Sequence, residues 1–182
     1  MLRILSIAGL CALLGAVPVC AEGTPKPVVI ATLFPIVEFA RDIAGDLAEI
    51  RPLLPPGAEA HSYSPTPADM MRLSRARLFL YLSDNMETWV PGFVADAPAA
   101  LLIRSVAPES EAGYPVAAKA EHSDRNGPEP LGLDPHIWLD PLRAQAMADR
   151  IADALSEADP VHASAYRANA GALQARIMEL HA

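Results

Sequence analysis

The sequence predicts an α/β fold: a parallel four-stranded sheet flanked by helices, followed by one long helix. Three observations carry this. Short apolar, β-branched runs recur between helical stretches, the alternation that builds a parallel sheet. The first run, Val28-Val29-Ile30-Ala31-Thr32-Leu33, is continuously apolar rather than alternating, as in a strand buried on both faces. Pro35, Pro67, Pro141 and Pro160 each stand where a helix begins, the last three directly after Thr66, Asp140 and Asp159 as capping residues.

After the first strand, Ile36, Phe39, Ala40 and Ile43 mark one face of a helix that should end near Gly45. Residues 47–54 read as a second strand, closed by Pro55-Pro56-Gly57. Thr66-Pro67-Ala68-Asp69 reads as a capping box, with Asp69 three beyond the cap. Residues 78–82 make a third strand, and residues 87–95 a helix broken near Pro91-Gly92. Residues 100–106 make a fourth strand. Residues 108–133 are rich in Glu, Ala, Pro and Gly and read as a long acidic, flexible loop. From Pro141, Ala144, Met147, Ala148, Ile151, Ala154, Leu155 and Ala158 follow helical spacing. From Pro160, the positions Tyr166, Ala170, Leu173, Ile177 and Leu180 form a heptad-like stripe. Near Ala182 there is no Gly, Asn or Pro to mark a helix stop.

Residues 1–21 read as a secretory signal peptide: Arg3, then an apolar run too short to span a bilayer, then Val19-Cys20-Ala21 before the cleavage point. Val19 fits poorly before a lipidated Cys20, so a lipoprotein is the lesser alternative. Of 182 residues, 161 remain after this leader, enough for one domain with a real core. Both cysteines, Cys11 and Cys20, fall inside the leader, which excludes a disulfide framework and a thiolate metal site in the mature chain. One of the 14 basic residues is Arg3, leaving 13 against 22 acidic ones. That balance argues against nucleic acid and anionic membranes as partners.

Two loops stand out. Gly57-Ala58-Glu59-Ala60-His61-Ser62-Tyr63-Ser64-Pro65-Thr66 and Asp134-Pro135-His136-Ile137-Trp138-Leu139-Asp140 each hold one imidazole before a helix start. Imidazole is the commonest protein ligand for zinc-like metals. The plain alternative for His61 is a solvated loop residue, and for His136 a helix-entry residue beside a core Trp138. Prolines on both sides of His61 stiffen its loop. Asp134 or Asp140 would suit a carboxylate that fixes the His136 tautomer, although a helix cap is the preferred role for Asp140. Spacing alone does not bring the two histidines together; strand ends of a parallel sheet would. His122 in the acidic loop is a weaker candidate, and His162 and His181 read as solvent-facing. The chain contains no His-Glu-x-x-His, no Gly-x-Ser-x-Gly and no phosphate loop, so an exported metallohydrolase lacks positive support.

At these loops the chain resembles the periplasmic solute-binding proteins of zinc and manganese ABC transporters. The resemblance rests on Val29-Ile30-Ala31-Thr32 with Phe34-Pro35-Ile36, on Gly57 to Asp69, and on Asp134 to Pro141, and runs from about Pro27 onward. It implies two α/β lobes joined by a long helix, with metal held between them. It assigns His61 and His136 as the two metal ligands of the amino-terminal lobe, and leaves two more to a second lobe. On this reading residues 22–158 are the amino-terminal lobe, residues 159–182 begin the linking helix, and the second lobe is absent from the chain. A stop inside that helix would leave its apolar stripe incompletely packed, and the isolated chain less stable than a longer form. The implied function is capture of zinc in the periplasm and delivery to an ABC permease, by a monomer that is not an enzyme. Manganese is the alternative ion, since the stretch before Asp134 carries only His122. A non-binding or adhesion-type secreted domain is the other alternative.

Overall fold

A computed structural model describes residues 25–107 and 136–181. The signal peptide, the acidic loop with His122, and Asp134-Pro135 lie outside the described residues, as does the side chain of His181. Four strands, β1 (Val28–Ala31), β2 (Glu49–Pro52), β3 (Leu78–Tyr81) and β4 (Leu102–Ser105), form one sheet in the order β2-β1-β3-β4. All three pairings are parallel, with Val29 opposite Ile50 and Leu78, and Phe79 opposite Ile103. The helices are α1 (Phe34–Ala44), α2 (Pro67–Ser74), α3 (Val90–Asp96), α4 (Pro141–Ala158) and α5 (Ala163–His181).

The continuous apolar character of β1 and β3 follows from two cores. Val29, Ala31, Leu78 and Leu80 face a layer built from α1, α4 and α5, where Ile36, Met147, Ile151 and Tyr166 are buried. Ile30 and Phe79 point the other way, onto Leu73, Val90 and Phe93 from α2 and α3. Alternate residues of one strand thus fill opposite layers. Strand β2 is an edge and is mostly exposed, which explains why Pro52 is tolerated there.

Gly45 closes α1 with φ +52° and donates its N–H to the Arg41 carbonyl at 2.9 Å. The expected cap at Thr66 forms as a full capping box with Asp69. Asp140 accepts the N–H groups of Leu142 and Arg143 at 2.9 and 3.3 Å, which makes it the cap of α4. Every apolar position read onto α4 is buried.

Two expectations need correction. Helix α3 starts at Val90, so Pro91-Gly92 lies in its first turn and breaks nothing; proline is accommodated where no N–H partner is needed. A 3-10 turn over Pro160–His162 precedes α5. Within the stripe, Tyr166, Ala170 and Leu173 are buried but Leu180 is 90% exposed, because cover by α1 and α4 ends past Ile177. Helix α5 is otherwise pegged down: Asn169 donates to the Ile43 carbonyl at 2.9 Å, Arg176 meets Asp42, and Gln145 and Gln174 each donate to the other's backbone carbonyl. Among the described residues, no helix is long and apolar enough to cross a membrane.

Candidate metal centre

Strand order reverses between β1 and β3. From β1 the chain turns outward to β2, then crosses back to β3 on the other side. Parallel sheets open a crevice beyond the carboxyl ends of the strands at such a point. A cavity of about 620 Å³ lies there, with Thr32 from the end of β1, Met86 from beyond β3, and Phe34 from the start of α1 in its wall.

Thr32 is held in this wall by Glu87, which is 3% exposed. One carboxylate oxygen accepts from the Thr32 hydroxyl at 2.5 Å and the Leu82 N–H at 3.0 Å. The other accepts from the Ser83 N–H at 3.0 Å. The carboxylate therefore ties the ends of β1 and β3 together. Burial pushes its pKa above the ordinary carboxylate value, and its hydrogen-bond donors pull back only part of the way. In the sequence Glu87 reads as an ordinary helix residue; its place between Met86 and the apolar pair Trp89-Val90 is the signal that could have marked it.

His61 reaches the cavity on a loop built for rigidity. Pro55-Pro56-Gly57-Ala58 turns with Gly57 at φ +80° and the Ala58 N–H on the Pro55 carbonyl at 3.1 Å. Proline second and glycine third is what a type II turn demands. A 3-10 turn over Ala60–Ser62 follows, and Glu59 accepts the His61 N–H at 3.2 Å. Beyond it, Tyr63 donates to Asp69 at 2.8 Å. Burial, with the hydrogen bond and charge of Asp69, pushes the Tyr63 hydroxyl up to about 12. Burial would raise the pKa of Asp69 too, but hydrogen bonds from Thr66 and Tyr63 and the charge of Arg72 outweigh it and hold it low.

His136 enters on a 3-10 turn over Ile137–Leu139. Ile137, 4% exposed, inserts into the core and anchors the turn; Trp138 is half-buried, packs against the same core and lines the cavity, with its ring 5.3 Å from that of His136. The two imidazoles thus meet in the wall of one cavity, 5.8 Å between ring centroids and at 62°. Two rings that share an ion at about 2.0–2.1 Å from one nitrogen each would stand roughly 5–6 Å apart. Both side chains are exposed, so an ion could reach them. Among the described residues no group of three or more His, Cys, Asp or Glu converges. His162 lies elsewhere, in the turn before α5, with its ring nitrogen 2.7 Å from Asp159, which also accepts the Tyr166 hydroxyl.

Comparison with known proteins adds a family, two relatives and two solved structures. Residues 29–182 match the family described as zinc-uptake complex component A, periplasmic (ZnuA). The chain is 34% identical over 163 residues to the iron-binding protein YfeA of Yersinia pestis, covering 87% of this chain and 48% of that protein. It is 30% identical over 193 residues to the zinc-binding protein AdcA of Streptococcus pyogenes, covering 99% of this chain and 37% of that one. The chain thus spans half or less of the length of these relatives. Its fold superposes on the Zn(II)-bound ZnuA-like domain of Streptococcus pneumoniae AdcA with a TM-score of 0.71 at 27% identity, over 86% of this chain and 53% of that one. The metal-dependent lipoprotein YcdH of Bacillus subtilis gives the same score at 28% identity, with the same coverage.

Proposed function

The chain belongs to the family of periplasmic zinc-uptake complex component A, and from that premise we propose that it captures zinc outside the cytoplasm for delivery to an ABC permease. The family is one of metal-binding transport proteins, not of enzymes. The observation that carries the proposal is the convergence of His61 and His136 in one cavity wall at the switch point of the sheet.

In this reading the two imidazoles replace two waters of the hydrated ion. No covalent step is involved. Zinc prefers four ligands in a tetrahedral shell, and two histidines leave half of that shell to water or to residues of a second lobe. We assign residues 22–158 to the amino-terminal lobe and α5 to the helix that links it to that second lobe. An incomplete half-site suits a carrier, because an ion held from two sides is released when the sides part. We further propose cleavage of the leader after Ala21 and a monomeric carrier.

Zinc is favoured over manganese because imidazole nitrogen binds it more strongly. The iron-binding name of YfeA keeps the choice of ion within the family open to test. Calorimetric titration with zinc and with manganese, on the parent chain and on a His61→Ala, His136→Ala double variant, tests the proposal. Zinc uptake near one equivalent, lost in the variant, is the expected result. Binding that is absent, or unchanged by the double substitution, would overturn it.

A further inference from the structure

The loop that presents His61 leaves the sheet at Pro52 and rejoins regular structure at Thr66. Both of its ends converge on one carboxylate. Asp69, 8% exposed, receives the Tyr63 hydroxyl at 2.8 Å, the Thr66 N–H at 2.9 Å and the Thr66 hydroxyl at 2.6 Å on the same oxygen. Its other oxygen receives Arg72 Nη1 at 3.1 Å, and Arg72 Nη2 donates to the Pro52 carbonyl at 2.6 Å. The path Tyr63–Asp69–Arg72–Pro52 therefore closes the loop on itself through side chains. A capping box needs only Thr66 and Asp69; the Tyr63 and Arg72 arms go beyond helix capping.

We propose that Tyr63, Asp69 and Arg72 are positioning residues for metal capture, a clamp that holds His61 in register with His136. The proposal rests on the reading of His61 as a ligand. Its physical basis is preorganisation. A ligand fixed before the ion arrives need not be ordered at the moment of binding, and partners that orient a ligand typically change metal affinity by about 10–100-fold. The Tyr63 arm lies two residues from His61 in the chain, so cutting it frees the turn that carries the imidazole. The Arg72 arm holds the other end at Pro52, whose neighbours Leu54 and Pro55 line the cavity.

The test uses Tyr63→Phe and Arg72→Met, singly and together, with His61→Ala and Asn169→Ala as controls in the full chain. Zinc affinity is measured by chelator competition well below the unfolding temperature, with hydrogen exchange of residues 58–64 in the metal-free chain. Tyr63→Phe is expected to weaken zinc binding about tenfold and to speed exchange in that loop. The double variant should lose less than the product of the two single effects, because both arms serve one clamp. Asn169→Ala, which removes a comparable bond far along α5, should lose stability and keep zinc affinity. Unchanged zinc affinity in both Tyr63→Phe and Arg72→Met, while His61→Ala loses zinc, overturns the clamp alone. Full zinc affinity in His61→Ala overturns the ligand reading and the clamp with it.

Discussion

His61 and His136, from opposite halves of the chain, hold their rings 5.8 Å apart and inclined at 62°. The first rides on a proline-stiffened loop after β2, the second on a short turn pinned by Ile137. Neither is buried, so each can be altered with little effect on the core.

Single His61→Ala and His136→Ala substitutions are expected to weaken zinc binding on the order of 100-fold each, at least the loss seen when a mere supporting residue is removed. Unfolding free energy should stay within about 0.5 kcal/mol of the parent, as for other exposed positions. Chelator competition and urea denaturation on the same preparations check both halves. An affinity change without the stability match would point to a disturbed fold instead.

Glu87→Leu should destabilise the chain by about 2–3 kcal/mol, because it strands the buried Leu82 N–H and Thr32 hydroxyl and the half-buried Ser83 N–H. Glu87→Gln should cost less, since its carbonyl still accepts from Thr32 and Leu82, and the penalty is confined to its NH2 opposing the Ser83 N–H, donor against donor. The pH dependence has a definite sign. The folded-state pKa is raised above the ordinary 4.5, so the folded chain holds this proton longer than the unfolded one. Stability from this group is present at low pH and falls as pH rises from about 4.5 through the folded value. Denaturation midpoints across that range should fall less steeply in Glu87→Gln.

Asp69 contributes in the opposite direction. Its pKa is held below the ordinary 3.8, so its stabilisation is complete above that value and is lost as pH falls through the folded one. Asp69→Asn should remove part of the acid limb of the stability curve and leave the neutral limb parallel to the parent. Urea midpoints from about pH 2 to pH 7 measure it; an acid limb identical to the parent's would rule out Asp69 as a contributor.

Gly45→Ala should cost about 1–2 kcal/mol, the penalty of placing a Cβ in the left-handed region. Nothing lies within 4 Å of where that Cβ would stand, so the cost is the backbone's own at φ +52°. Gly92→Ala, with equally open space and no left-handed backbone, serves as the control and should be neutral or slightly stabilising.

Much of this architecture was legible because local signals and tertiary packing agree. Val28 to Ala31 reads as a doubly buried strand and is one, and the caps at Thr66 and Asp140 need only nearby residues to form. Strand ends were read one or two residues too long, since apolar residues such as Leu33 and Leu53 continue the core after the ladder stops. The meeting of His61 with His136 was not legible from their spacing: it depends on β3 pairing with β1 on the side away from β2. Glu87 and the Tyr63 and Arg72 arms escaped notice for a similar reason. Each role is set by a partner brought in by the folded chain, Thr32 for Glu87 and Pro52 for Arg72.

The pegs that fasten α5 have a mechanical consequence. Asn169 grips the last turn of α1 at Ile43, Arg176 grips the same helix at Asp42, and the two glutamines rivet α5 to α4. Helix α5 would therefore carry α1 and α4 with it in any displacement, since these contacts join all three. Phe34 and Pro35, at the other end of α1, stand in the wall of the cavity that holds both histidines. A shift of α5 would thus be felt at that wall through α1.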